Sequence, residues 1–342
     1  MPDPSFPILD LGQFDAGPQA RRRFVEALGA AARDIGFLYL IGHGIPEALG
    51  RSVFALSRKF FALPEEEKLA IEMVNSSHFR GYTRVGRELT RGQPDRREQL
   101  DVGLEAPALT RVPADQPWLR LQGPNQWPSS LPELRPVLLE WQEVLTRVLL
   151  KLLGAFALAL EQPEGAFDDL VGSTANRLLK IIRYPGSRAG AADQGVGAHK
   201  DSGILTAVWQ DETGGLEVEV EAEAGFIPAR PVPGALVINI GELLELATGG
   251  YLKATVHRVV SPSEATDRLS VAFFLGARLD AQVKVLPLPE RLRTLVRGLS
   301  ADPLNPLFQH VGRNYLKGRL RSHVDVARRH YPELDVDAAG NY

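Results

Sequence analysis

The chain of 342 residues contains no cysteine. That absence excludes disulfides, thiolate nucleophiles, iron–sulfur clusters and Cys-ligated zinc, leaving imidazole and oxygen as the available metal ligands. There is no excess of basic charge either. Lys and Arg total 39 against 42 Asp and Glu, a formal net charge of -3, and the basic residues are dispersed. A nucleic-acid or anionic-membrane partner would call for a concentrated cationic surface, so neither is expected. Long apolar runs are missing as well: Val148 to Leu160 is interrupted by Lys151 and is too short to span a bilayer. The start, Met1-Pro2-Asp3-Pro4-Ser5-Phe6-Pro7, lacks the basic and apolar segments of a signal peptide, and a cytoplasmic location is expected. With 44% hydrophobic and 24% charged residues the composition is that of a globular protein, which sets aside disordered and fibrous classes.

After a short opening strand at Pro7 to Leu11, Ala20 to Asp34 carries Phe24, Leu28 and Ala31 on one helical face. Gly36 to Ile41 reads as a buried strand. A helix after Pro46 places Phe54, Leu56, Phe60 and Phe61 inward and stops at Leu63-Pro64. Val74 to Trp127, rich in Gly, Pro and Arg, reads as loop with short strands. Helical periodicity returns from Pro132 to Leu160 through Leu138, Trp141, Leu145, Leu149, Leu152 and Phe156, as one long supporting helix. From Asn176 to Leu279 the texture is that of an antiparallel sandwich or barrel. Its strand candidates are Leu178–Tyr184, Ile204–Gln210, Gly215–Val220, Ala235–Ile240, Thr255–Val260 and Leu269–Leu275. A further helical and polar tail follows, and no internal repeat or low-complexity linker divides the chain.

Seven histidines can be weighed one by one. His199-Lys200-Asp201 stands at the predicted entrance to a strand, where residues two apart share a side, so an imidazole and a carboxylate converge while Lys200 turns away. His257 alternates with apolar residues in Thr255-Val256-His257-Arg258-Val259. Two His and one carboxylate suit iron(II) oxygen chemistry, because they leave coordination positions open; a bare His-x-Asp is by itself equally compatible with a surface pair. Arg268-Leu269-Ser270 then opens an apolar strand. A guanidinium with a hydroxyl on one face matches a carboxylate, with a structural ion pair as the alternative.

With these motifs the sequence resembles the isopenicillin N synthase-like group of iron(II)/2-oxoglutarate dioxygenases over nearly its whole length. The resemblance rests on Phe6 to Leu11, Ile35 to Ile45, Phe60 to Lys68, Phe79-Arg80-Gly81-Tyr82, Arg97-Glu98-Gln99, Gly197 to Thr206, Asn239-Ile240-Gly241-Glu242, and Tyr251 to Val260. The tail segments Gly312 to Leu316 and Arg321-Ser322-His323 look like those of bacterial members. It implies a mixed α and β fold built on a double-stranded β-helix of the jelly-roll, cupin-like type, with N-terminal and central helices packed around it. Within one integrated domain it implies an N-terminal helical and loop region at 1–130, a supporting helix at 131–175, the barrel at 176–285 and a helical tail at 286–342. It further implies Fe(II) on His199, Asp201 and His257, 2-oxoglutarate as cosubstrate on Arg268 and Ser270, dioxygen, and ascorbate as an auxiliary reductant. The expected reaction is oxidation of a small molecule, hydroxylation first and desaturation or ring closure second, with release of succinate and carbon dioxide.

The family's Asn-x-Tyr pair is here Ile182-Arg183-Tyr184: Tyr184 fits as a keto-acid contact and Ile182 departs. A strand-end aromatic before Pro185 is the plainer role for Tyr184. His43 is structural in the family, and His78, His310, His323 and His330 are expected at the surface or as caps. Arg80, Tyr82, Arg84, Arg87 and Arg91 of the Asn75 to Arg97 segment are expected near the barrel mouth, favouring an anionic substrate, with solvated ion pairs to Glu88, Asp95 and Glu98 as the alternative; Phe274 would be the apolar wall. Three other readings stay open at this point. They are a 2-oxoglutarate-independent oxidase of the isopenicillin N synthase or aminocyclopropane carboxylate oxidase type, a non-catalytic ligand-binding barrel, and a zinc hydrolase.

Overall fold

The computed structural model describes residues 6–189, 193–220, 225–299, 302 and 305–334. The end of the expected helical tail, 335–342, lies outside them, as do residues 1–5. The strands are β1 (Ile8–Asp10), β2 (Phe37–Ile41), β3 (Gly81–Thr83), β4 (Leu89–Thr90), β5 (Gln93–Pro94), β6 (Glu98–Gly103), β7 (Arg177–Tyr184), β8 (Gln194–His199), β9 (Leu205–Gln210), β10 (Leu216–Val220), β11 (Gly225–Pro228), β12 (Leu236–Ile240), β13 (His257–Val260) and β14 (Arg268–Leu275). The helices are α1 (Pro18–Asp34), α2 (Glu47–Phe61), α3 (Glu65–Ala70), α4 (Leu134–Ala159), α5 (Asp168–Val171), α6 (Glu242–Ala247), α7 (Glu290–Arg293), α8 (Val311–Ser322) and α9 (Val324–His330).

A large sheet in the order β1-β2-β12-β9-β14-β7-β6-β3 faces a smaller one, β11-β10-β13-β8. Side-chain alternation divides the large sheet cleanly. Leu100 and Val102 of β6, Leu179 and Ile181 of β7, Leu269, Val271 and Phe273 of β14, Leu236 and Ile238 of β12, and Leu38 and Leu40 of β2 join the helices in the main core. The residues between them turn the other way. Phe37, Tyr39, Ile182, Tyr184, Val237 and Ala272 meet Val196, Leu216, Val218 and Val259 of the small sheet in a second apolar cluster, the barrel interior. Two sheets joined over a shared inner face form the jelly roll.

α4 is the long helix that the 3.6-residue periodicity predicts. Its buried Leu138, Trp141, Leu145, Leu149, Leu152 and Phe156 back the large sheet, each contributing on the order of 2 kcal/mol through burial. α1 ends where Gly36 takes φ +75°, and an added Cβ there would meet the Lys253 carbonyl oxygen at 2.1 Å. Only glycine turns the chain so tightly into β2, which delivers Phe37 to the barrel interior.

Two segments differ from the sequence-based expectation. β8 was not a strand candidate: Gln-Gly-Val-Gly-Ala-His has no hydrophobic alternation, and its pairing with β13 supplies the order. Within the loop-rich stretch, β6 is a fully buried ladder partner of β7, with Leu100 opposite Ile181 and Asp101 opposite Lys180. Among the described residues no helix is long and apolar enough to cross a membrane.

Candidate active site

His199 is the last residue of β8, not part of a strand entrance, and Asp201 lies in the turn that follows. The pairing of β8 with β13 is irregular beside them. His257 pairs with His199 and Val259 with Val196, so the register shifts between them, and both Val196 and His199 face the interior although three positions separate them. His199, Asp201 and His257 place one ligand atom each within 4.8 Å of one another. The His199 and His257 Nε2 atoms lie 3.5 and 3.6 Å from Asp201 Oδ1.

Outer hydrogen bonds aim all three groups. Nδ1 of His199 is 2.8 Å from the Gly197 carbonyl, and Nδ1 of His257 is 3.0 Å from that of Thr255. A donating Nδ1–H leaves each Nε2 lone pair free for a metal. Thr206 donates to Asp201 Oδ2 at 2.5 Å and Asn239 at 2.8 Å, which reserves Oδ1 as the ligand atom. Burial opposes ionisation of Asp201, yet the neighbouring His257 and His199 hold its carboxyl well below the usual range. Burial equally disfavours a charged His257, and the Asp201 carboxylate overrides it and raises the imidazole's proton affinity. The edge of Phe37 stands against His257, ring centroids 5.2 Å apart.

On the inner face of β14, Arg268 and Ser270 point into the barrel, 1% and 2% exposed. Arg268 donates to Ser270 Oγ at 3.1 Å and to Gln210 Oε1 at 3.2 Å, and its guanidinium lies 4.8 Å over the Tyr184 ring. No acidic side chain pairs with it among the described residues, and its Nε has no partner. A buried, uncompensated guanidinium is costly, and a planar carboxylate is the ligand that relieves the cost. Both donor sets therefore fit their expected guests: a divalent metal on His, Asp and His, and a carboxylate on Arg and Ser. Phe274 is on the same inner face, directly opposite Thr206, which bonds the ligand carboxylate.

The expectation for Arg80, Tyr82 and Arg84 is corrected. Arg80 is buried and donates to the carbonyls of His78, Phe79 and Leu121, so its side chain fastens loops together. Tyr82 faces the helix layer against Phe60 and donates to Glu98 at 2.5 Å. Arg84 pairs with Glu72 at 2.8 Å. These contacts consume the charges of Arg80 and Arg84, two of those from which an anionic substrate was inferred. His43, as the resemblance implies, has structural partners: its ring bonds the Gly234 carbonyl and accepts from the Ile45 amide. Lys200 turns away to Glu245 at 3.0 Å. His310 caps α8, while His78 and His330 bond the Arg120 and Val74 carbonyls. His323 is not a surface residue: it is 1% exposed, with Nε2 3.6 Å from Glu88.

Sequence reasoning gave no site role to Thr206, Gln210, Lys180, Asp101 or Arg319, and used Asn239 only as a matching segment. Lys180 carried a usable signal, a lone charge at the inward parity of an apolar strand. The others come together only through tertiary pairing.

A jelly roll that gathers His199, Asp201 and His257 and buries Arg268 beside Ser270 has the arrangement of a non-haem iron oxygenase of the 2-oxoglutarate type. Comparison with known proteins makes the assignment specific. Residues 6–130 match the family described as non-haem dioxygenase in morphine synthesis N-terminal, and residues 175–277 match the 2OG-Fe(II) oxygenase superfamily. The chain is similar to the 2-oxoglutarate-dependent dioxygenase frbJ of Dothideomycetidae sp., 36% identical over 96% of this chain and 93% of that protein. It is also 36% identical to homoarginine-6-hydroxylase 2-ODD-C23.1 of Arabidopsis thaliana, over 77% of this chain and 79% of the relative. A solved 2OG-Fe(II) oxygenase family protein from Caulobacter crescentus, itself described as putative, superposes with TM-score 0.74 at 28% identity, over 93% of this chain and 99% of that one. A Neurospora crassa protein solved in complex with alpha-KG and 5-formyluracil shares the fold at TM-score 0.72 and 23% identity, over 95% of this chain and 96% of that one. The chain belongs to the 2OG-Fe(II) oxygenase superfamily, and it is an enzyme that uses Fe(II), 2-oxoglutarate and dioxygen.

Proposed function

We propose that His199, Asp201 and His257 hold the iron, that Arg268 and Ser270 grip the distal carboxylate of 2-oxoglutarate, and that the enzyme hydroxylates an unactivated carbon of a small molecule resting against Phe274. The observation that carries the cosubstrate assignment is the buried Arg268, which has no acidic partner among the described residues. Iron with 2-oxoglutarate supplies an oxidant strong enough to take hydrogen from such a carbon.

The chain's own groups do the rest. Thr206 and Asn239 fix Asp201, while the Gly197 and Thr255 carbonyls fix the two imidazoles. Tyr184 and Gln210 hold the guanidinium of Arg268 flat, ready for two-pronged recognition. The apolar lining from Phe37, Ile182, Val196, Val259 and Ala272 keeps bulk water from the reacting carbon. Hydroxylation is favoured over desaturation or ring closure by the names of the plant relatives, which are homoarginine hydroxylases. The isopenicillin N synthase-like grouping and a bacterial source are also proposals, supported by the Tyr251–Val260 and Gly312–Leu316 segments and by the likeness to the Caulobacter protein.

The test is Arg268→Leu. Loss of one partner of a charged buried contact costs on the order of 2–5 kcal/mol, so half-saturation by 2-oxoglutarate should rise by roughly 30-fold or more, at about 1.4 kcal/mol per tenfold, while iron binding is spared. An unchanged 2-oxoglutarate requirement refutes the anchor and restores an oxidase that does without the keto acid.

A further inference from the structure

Beyond the apolar lining, the barrel interior becomes charged. On the inward face of β6 stand Gln99 and Asp101, opposite Ile182 and Lys180 of β7, and Lys180 is in turn opposite Ala272 of β14. Lys180 donates to both oxygens of Glu88, at 3.0 and 3.2 Å, and lies 3.6 Å from Asp101. Arg97 contacts Glu88 at 3.0 Å and Asp95 at 3.1 Å. Asp95 accepts from the Gly197 amide, and the Gly197 carbonyl receives His199, so this ring of charge shares one residue with the mounting of the triad. α8 closes it from outside. Tyr315, Arg319 and His323 fall four residues apart on one helical face. Tyr315 packs against Gly276 and Gly203, Arg319 donates to Asp101 at 2.9 Å, and His323 faces Glu88.

Two features set this cluster apart from a structural ion-pair network. Buried ion pairs stabilise a fold poorly, and apolar replacements commonly do as well or better, so a charged ring on the inner wall of an oxygenase barrel has no advantage for folding. It is also incompletely satisfied: Gln99 is fully buried, and its Oε1 and the Arg97 Nε have no partner among the described residues. Unmet buried groups beside a reaction centre are where a ligand gains most.

We infer that Lys180, Glu88, Asp101 and Arg319 recognise the primary substrate, and that they select a zwitterion, a small molecule carrying a carboxylate and a separate cationic group. This rests on the reading of the barrel as an oxygenase site and names the substrate class for it. The carboxylate goes to Lys180 and Arg319, the cation to Glu88 and Asp101, and the carbon between them lies toward Phe274 and the triad. The charges choose the class by balance. Within ion-pair distance three carboxylates, Glu88, Asp95 and Asp101, face three cations, Lys180, Arg97 and Arg319, with the neutral imidazole of His323 beside Glu88. A singly charged guest would leave one buried charge uncompensated. A neutral guest would replace charge-assisted hydrogen bonds with ones about half as strong. A zwitterion exchanges pair for pair.

The experiment uses the full chain loaded anaerobically with Fe(II) and 2-oxoglutarate, and measures binding by calorimetry. The probes are 4-aminobutyrate and 4-guanidinobutyrate, against butyrate, butylguanidine and thymine as the anionic, cationic and neutral comparisons. At least one zwitterion should bind tenfold or more tightly than every comparison compound. Lys180→Met together with Glu88→Gln removes one pair without unbalancing the rest, and should erase that preference while iron binding persists. Should the double variant fail to fold, the wild-type comparison decides alone. A comparison compound that binds as well as the zwitterions, no binding by either zwitterion, or a folded double variant that keeps the preference overturns the inference. Loss of iron binding or of succinate formation in the wild type would instead overturn the oxygenase site itself.

Discussion

Replacing Asn239 by Ala removes one of the two hydrogen bonds that hold Asp201 Oδ2 and leaves the three proposed metal ligands in place. Thr206 alone then restrains the carboxylate, whose Oδ1 can swing away from the line joining the two Nε2 atoms. Partners of this kind are worth roughly 10- to 100-fold in metal affinity, or about 1.4 to 2.8 kcal/mol at 1.4 kcal/mol per tenfold. Anaerobic titration with Fe(II) should therefore show weakening within that range for Asn239→Ala, and a larger loss when Thr206→Val is added, because the carboxylate then has no outer restraint. The thermal midpoint of the metal-free protein serves as the control, since Asn239 is buried in β12 and truncation leaves a small cavity. Undiminished iron affinity in a folded Asn239→Ala protein would refute the idea that Oδ2 is the restrained oxygen and Oδ1 the ligand.

Two further outcomes follow from the architecture. Burial pushes the His323 imidazole down to about 4, against the pull of Glu88, with Arg319, Asp101 and Lys180 also facing it. The unfolded chain, with an imidazole near 6.5, then binds more protons between pH 6.5 and 4, so this contribution is intact above 6.5 and is lost as pH falls toward 4, by about 3 kcal/mol at ~1.36 kcal/mol per unit. Denaturant unfolding at pH 7 and pH 4.5 should show a smaller acid loss in His323→Gln, and identical losses would contradict the buried placement. Leu145→Ala in α4, fully buried behind the large sheet, should cost about 2–5 kcal/mol in the same assay while leaving the affinity for 2-oxoglutarate unchanged; a selective effect on the cosubstrate would show that the helix layer does more than support.

What could be read from the sequence was local. His199-x-Asp201, His257 among apolar neighbours and Arg268-x-Ser270 are short motifs, and strand parity places Phe274 on the same face as Arg268. The structure brings these groups into one barrel, although His199 and Asp201 converge across a strand end and a turn instead of along a continuous strand. The β8 segment was invisible because its glycines erase alternation. Arg80, Tyr82 and Arg84 were misplaced because a Gly-containing stretch does not say which face of β3 meets the helices, and here Tyr82 does. The charged ring lies deeper still beyond sequence reading: Glu88, Asp101, Lys180 and Arg319 come from separate segments, and only the β6–β7 register and the seating of α8 join them.

Iron-dependent oxygenase chemistry at His199, Asp201 and His257 is tested by succinate formation from 2-oxoglutarate, followed with iron, dioxygen and the keto acid each withheld in turn, in the wild-type chain and in His257→Ala. The wild-type protein stripped by chelator should form no succinate, regain it on addition of Fe(II) and not of Zn(II), and require all three components, whereas His257→Ala should stay folded and inactive. Stoichiometric iron binding with normal succinate formation by His257→Ala, or turnover by the wild type without iron, would contradict iron chemistry at these residues.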